Sequence, residues 1–232
     1  MEAREGHLMS TSRDTIFASL RRSLGVSGDE RLRAASVEDR MERAPKGVIP
    51  ARAQIEAAAR LALFVEKVEG VQASVQKLAS SAEVPGAVAE YLRANNLPAS
   101  IRHGADERLA SLDWGTTALE VRRGPSDGHD LAALSHAESG IAETGTLALL
   151  SGPENPTTLN FLPDHHLVVI KSSDVTGDME SLWGRIRKRY GKGEMPRTLN
   201  FITGPSRSGD IEQTILLGAH GPRSLHVMIV ES

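Results

Sequence analysis

The sequence predicts an α/β protein with a parallel-rich sheet flanked by helices and preceded by a helical N-terminal extension. Two observations carry this. From Pro50 onward, stretches with apolar residues at helical spacing alternate with short apolar runs, the order that crossover-connected parallel strands require. The length of 232 residues is also enough for one large core, since single α/β domains commonly exceed the ~100–200 residues of an average domain. We divide the chain into an N-terminal helix and linker arm, residues 1–49, and one α/β domain, residues 50–232.

From the start, Met1 to Leu8 reads as an extended beginning that carries no fold argument. Ser12 to Leu24 places Ile16, Phe17, Leu20 and Leu24 at helical spacing and meets a stop at Gly25, while Arg21 and Arg22 sit where the helix dipole favours cations. Val26 to Gly47 is charged, poor in large apolar side chains and closed by Pro45 and Gly47, so it reads as a linker or partly ordered arm. A long alanine-rich helix is expected from Ala51 to Val68, then a strand from Val71 to Val75. A helix from Val84 to Ala94 and a strand from Ser100 to Arg102 repeat that order. Further strands are expected at Ala118 to Val121, Leu147 to Leu150, Leu167 to Ile170, Leu199 to Thr203 and Leu225 to Val230, with a helix from Met179 to Tyr190.

Composition excludes several function classes. The chain has no cysteine, so disulfides, thiolate zinc sites and a thiolate-held iron–sulfur cluster are excluded for this chain acting alone. A net charge of −3 gives no reason to expect nucleic acid as a ligand. No apolar run reaches the roughly 18–20 residues of a membrane span, and the polar start lacks a signal-peptide pattern, so a cytoplasmic protein is expected. The sequence carries no GxGxxG after the first strand, no GxxxxGK[ST] and no G-x-S-x-G, which weighs against dinucleotide dehydrogenases, nucleotide hydrolases and α/β-hydrolases.

Three loops can carry chemistry. Ala142-Glu143-Thr144-Gly145-Thr146 runs into an apolar strand, holding a carboxylate, two hydroxyls and a glycine where the chain enters a sheet. Glu143 can serve there as base, nucleophile or acceptor, or the segment can be a tight turn with a solvated carboxylate. The run Gly204-Pro205-Ser206-Arg207-Ser208-Gly209-Asp210 follows the strand at Leu199 and precedes the apolar Ile211 to Leu217. As a strand-to-helix loop beyond a strand's carboxyl end it would offer backbone N–H groups to a small carboxylate or phosphate, with Arg207 as a planar clamp. Equally, Asp210 and Gln213 can simply cap the following helix. Gly218-Ala219-His220-Gly221-Pro222 places one imidazole between glycines, where it can carry a proton or lie at the surface. In His165-His166 strand alternation points the two rings to opposite faces, so one metal ion is not easily chelated and no metal site is expected.

These segments together resemble the LUD-domain family: AETGT at Ala142 to Thr146, FLPDHH at Phe161 to His166, GPSRSGDIE at Gly204 to Glu212 and GAHGP at Gly218 to Pro222. Where the family has Thr-Ala in the third segment this chain has Ser208-Gly209, keeping the hydroxyl. The resemblance implies a fold similar to the sugar-phosphate isomerase and coenzyme A transferase group. It also implies a role in oxidising L-lactate to pyruvate beside separately encoded iron–sulfur subunits, with no cofactor bound by this chain. Glu143 and His220 are then the candidate catalytic residues. Thr144, Gly145, Thr146, Gly204, Ser206, Arg207, Ser208 and Asp210 are the candidate ligand contacts, and Glu143, Thr144, Gly145, Ser206, Arg207, Asp210 and His220 are expected to converge on one pocket. Two alternatives stand beside this: a self-contained transferase or isomerase that uses Glu143 as nucleophile, as the coenzyme A transferases use a glutamate, and a non-catalytic assembly subunit.

Overall fold

The computed structural model describes residues 11–27, 30–211 and 214–231, without the side chains of residues 210, 211, 214 and 215. The expected extended start and the Gln213 cap lie outside the described residues. The chain forms two compact units, one ending at Pro45 and one beginning at Lys46.

In the first unit, α1 spans Ser12–Leu24. The Thr11 hydroxyl accepts the Asp14 N–H at 3.3 Å while the Asp14 carboxylate accepts the Thr11 N–H at 3.1 Å, so two otherwise unbonded donors are satisfied reciprocally. Gly25 ends the helix at φ 65°, a left-handed conformation that glycine adopts without strain. A second helix, α2 at Arg31–Arg43, corrects the expected linker. Its apolar residues are too few for a clear period, yet Arg, Ala, Glu and Met favour helix, and Asp39 pairs with Arg43 one turn on. Neither helix has a buried residue.

The second unit contains, in order, α3 (Ala57–Gly70), β1 (Ser74–Leu78), α4 (Val84–Ala94), β2 (Ser100–His103), α5 (Glu107–Ala110), β3 (Glu120–Arg123), β4 (Ala132–His136), β5 (Ser139–Ile141) and β6 (Thr146–Leu150). It continues with α6 (Thr157–Phe161), β7 (His165–Lys171), β8 (Val175–Thr176), α7 (Met179–Tyr190), β9 (Leu199–Ile202), β10 (Arg207–Ile211), β11 (Thr214–Leu217) and β12 (Ser224–Val230). The helix expected from Ala51 begins six residues later. Ala51–Ala53 forms a single 3₁₀ turn, and the Gln54 amide leaves the helical path to donate to Asp178 at 2.9 Å. The first strand likewise starts later than expected, because the chain first reverses through Gln72 at φ 67°.

Six parallel strands make the central sheet, in the order β1-β12-β7-β4-β2-β3. Strand alternation divides its side chains between two cores. Leu134, Leu167 and Val169 face Val88 and Leu92 of α4 and Leu109 of α5, whereas Val168, Ile170, Val227 and Ile229 face Phe64 and Val68 of α3. That second face also meets Leu147 and Leu149 of a four-stranded mixed sheet ordered β8-β5-β6-β9. Leu182 and Ile186 of α7 close its outer side against Ile141 and Ala148. The result is a parallel-rich sheet flanked by helices, as the alternation predicts. Among the described residues, no helix is long and apolar enough to cross a membrane.

One expectation is overturned. The segment after the Gly204 loop is not a helix but the antiparallel hairpin β10–β11, in which Arg207 pairs with Leu217 and Ser208 with Leu216. Ile211, Thr214 and Ile215 are β-branched and favour strand, and a short apolar run cannot by periodicity alone distinguish the two states. The helix N-terminus that would have cradled an anion is therefore absent from this loop.

Candidate functional site

The residues singled out in the sequence fall into two neighbouring sets. The first is the turn between β5 and β6. Here the Glu143 N–H donates to Gly177 O at 3.1 Å, and its carboxylate accepts Arg52 Nη2 at 2.5 Å. Gly145 has φ 67°, and a β-carbon on it would come within 2.8 Å of the Lys67 and Val68 backbone at the end of α3. That close approach requires glycine. The hydroxyls of Thr144 and Thr146 lie 2.7 Å apart, and Thr146 lies 2.7 Å from the Thr203 hydroxyl, which ties the turn to the end of β9.

The second set begins one residue further on. Gly204, at φ 92°, abuts the same end of α3, where an added β-carbon would meet Val71 at 2.9 Å. Arg207 is exposed and its Nη2 donates to Val71 O at 2.6 Å. The loop is joined to the Gly218–Pro222 segment by Ser206 N–H on Pro222 O at 2.7 Å and Gly218 N–H on Ser206 O at 3.0 Å. Ser208 stands in β10 opposite Leu216. Asp210 also lies in β10, and its side chain is outside the described residues.

Both loops wall a cavity of about 250 Å³, to which they contribute Gly204, Ser206, Arg207 and His220. Phe201 and Ile202 of β9 with the following Thr203 form another side, and Asn160 and Phe161 of α6 a third. The floor is His166 and Leu225, near the amino ends of β7 and β12. Glu143, Thr144, Gly145 and Thr146 are not part of that wall, which corrects the expected convergence on one pocket: the β5–β6 turn is held against α3 and Arg52 instead. The expected position beyond the carboxyl end of a parallel strand is also corrected: the strand leading into the Gly204 loop belongs to the mixed sheet, so the cavity opens at the amino edge of the parallel one. Roughly 300–1,000 Å³ is usual for drug-sized ligands, so a cavity of about 250 Å³ suits a small metabolite.

His166, Asn160 and Ser135 were not selected from the sequence. The doublet splits as alternation requires. His165 meets the Tyr91 hydroxyl at 3.0 Å on the α4 side, while His166 turns to the opposite face and meets the Ser135 hydroxyl at 3.0 Å. Burial pushes the His166 pKa down to about 3, leaving its ring neutral. The signal available was a polar residue on the strand face shared with Val168 and Ile170.

A second concavity of about 520 Å³ lies at the carboxyl ends of β2 and β4. Four of its charged groups pair with one another, Asp106 with Arg108 at 2.6 Å and Glu138 with Arg189 at 2.7 Å. His136 at its edge is held neutral, its pKa lowered to about 4 by burial and then by Arg108. Among the described residues, no group of three or more metal-ligating side chains is found.

Comparison with known proteins places this geometry in context. A crystal structure of a DUF162 family protein from Deinococcus radiodurans superposes with a TM-score of 0.58 at 24% identity, over 76% of this chain and 99% of that one, and so shares the fold. An uncharacterized protein from Neisseria meningitidis serogroup B is 36% identical over 140 residues, 58% of this chain and 59% of its own length. Lactate utilization protein C from Geobacillus thermodenitrificans is 36% identical over 98 residues, 42% of this chain and 41% of its own. The chain thus spans about two fifths to three fifths of these relatives. The LUD domain family model matches residues 61–230, which takes in every strand of both sheets and both cavity-forming loops, and the chain belongs to that family.

Proposed function

We propose that this chain is a component of L-lactate utilization that holds the small carboxylate while separate iron–sulfur subunits take its electrons. The observation that carries the reading is the small cavity walled by Ser206, Arg207 and His220, which joins a cation, a hydroxyl and an imidazole around a space too small for a large ligand. A hydroxy acid needs a positive or N–H-rich partner for its carboxylate and an acceptor for its hydroxyl proton, and these residue types supply both. Oxidation to pyruvate releases two electrons, which no side chain in this wall accepts. The chain has no cysteine, so thiolate-held clusters belong to partner chains. The name of the Geobacillus relative supports the pathway, and the shared fold supports the architecture.

A tagged copy expressed in its native host during growth on lactate tests this. We expect iron–sulfur proteins to copurify and the assembly to reduce an artificial acceptor when L-lactate is added. Recovery of the chain alone, with no lactate-dependent reduction on mixing it with the host extract, would overturn the reading.

A further inference from the structure

Beneath the cavity floor runs a chain of buried polar groups whose proton positions follow from one backbone carbonyl. The Leu150 carbonyl can only accept, so the Asn155 side chain must turn Nδ2 toward it, at 3.3 Å. The same nitrogen donates to Asn160 Oδ1 at 3.4 Å, which fixes the second amide. Ser135 then gives its one hydroxyl proton to Asn160 Oδ1 at 3.2 Å. Its oxygen can therefore only accept from His166, whose Nε2 lies 3.0 Å away and must carry the ring proton. Ser135, Asn160 and His166 are each 1% exposed and Asn155 is 5% exposed.

This arrangement leaves three orphans, Asn155 Oδ1 and two on residues of the cavity wall. His166 Nδ1 is left with a lone pair and no donor, and Asn160 Nδ2 with two protons and no acceptor. Buried polar atoms without partners cost on the order of 1–3 kcal/mol each, and native structures keep few of them. An acceptor on a floor residue and a donor on a side residue, both buried and without partners, match a ligand that presents a hydroxyl beside a carboxylate.

We propose that His166 Nδ1 and Asn160 Nδ2 read an α-hydroxy acid in this cavity, the first accepting its hydroxyl proton in a hydrogen bond and the second donating to its carboxylate. Ser135 and Asn155 are positioning residues that hold both groups in the required orientation. The choice of lactate as ligand rests on the function proposed above, whereas the requirement for a hydroxyl rests on the hydrogen-bond chain alone. An acid without the hydroxyl leaves His166 Nδ1 unpaired, and a keto acid sets lone pair against lone pair.

The test is a nuclear magnetic resonance titration of the full ¹⁵N-labelled chain with L-lactate, propionate and pyruvate. The free chain is expected to show His166 neutral and protonated on Nε2, and L-lactate to shift its Nδ1 signal. Propionate and pyruvate should bind about 10- to 100-fold more weakly, the range set by one unsatisfied buried acceptor. In Ser135→Ala the preference for lactate over propionate should shrink toward unity with propionate affinity retained, which a merely structural role would not produce. Equal binding of the three acids, binding of none, or a proton on Nδ1 in the free chain would each overturn the proposal. The ligand series and the tautomer need only the unaltered protein, so they decide even where the variant does not fold. Loss of copurifying partners with the ligand preference intact would strike the pathway reading alone, and the reverse result would strike this proposal alone.

Discussion

Glu143 and Arg52 meet at 2.5 Å with the Glu143 side chain 12% exposed but the Arg52 side chain 63% exposed, so solvent screens the pair from the arginine side and it is worth about 1 kcal/mol or less. Glu143→Gln should therefore change the free energy of urea unfolding by less than about 1 kcal/mol and leave lactate-dependent reduction by the assembled complex in place. Abolished turnover in a variant of unchanged stability would instead give the carboxylate the nucleophile's role of a transferase. At this scale the sequence was informative about glycines and less so about partners. Gly145 and Gly204 stand out there as candidate ligand contacts, and the fold uses both for close approach to the end of α3. The partner of Glu143 lies 91 residues away, and no local pattern names it. In the sequence His166 is half of an ordinary doublet, because its importance depends on Ser135, Asn155 and Asn160, which only the folded chain collects.

Among elements, α1, α4 and α7 occupy the expected spans because their ends carry chemical stops: Thr11 and Gly25 for α1, the Pro85 start of α4, and Asp178 and Gly191 for α7. The Asp178 carboxylate accepts the Ser181 N–H at 2.8 Å, the Ser181 hydroxyl at 2.9 Å and the Gln54 amide at 2.9 Å. Asp178→Ala should thus lower stability by about 1–2 kcal/mol, seen as a lower urea midpoint with an unchanged slope. An unchanged midpoint would show that the cap contributes nothing. The strands β4 and β5 escaped detection for the opposite reason. Ala132–His136 and Ser139–Ile141 are buried along their whole length, so they show no polar alternation, and their small and polar residues lack the β-branched signature of a strand. The hairpin β10–β11 was mistaken for a helix because its apolar run is too short to reveal its period.

For the molecule as a whole, the alternation of helices and strands disclosed the class but not which strand lies beside which, since pairing depends on contacts remote in sequence. Four histidines are buried on that sheet, His103 among them, and the three with the largest shifts make its stability sensitive to acid. Burial lowers the pKa of His166 to about 3 and of His226 to about 4, and burial followed by Arg108 lowers that of His136 to about 4. All three remain neutral in the fold while the unfolded chain takes up protons near pH 6.5, so stability is full above that pH and falls as the pH drops toward the folded values. Each contributes at most about 1.4 kcal/mol per pH unit in that window. Urea midpoints should decline steadily from pH 6.5 to 4.5, less steeply in His226→Gln. A flat profile would contradict the neutral assignment. The order of the sheet also bears on synthesis at the ribosome. Among the described residues the edge strand β1 pairs only with β12, and the register partners Ser74 and His226 are 152 residues apart. At ~5–20 residues per second, β1 waits roughly 10–30 s for its neighbour, and the nascent sheet stays open along its middle until that strand emerges and slots between β1 and β7. Nascent chains halted before Ser224 should accordingly recruit chaperones and yield to protease, and become resistant only once the last strand has been released.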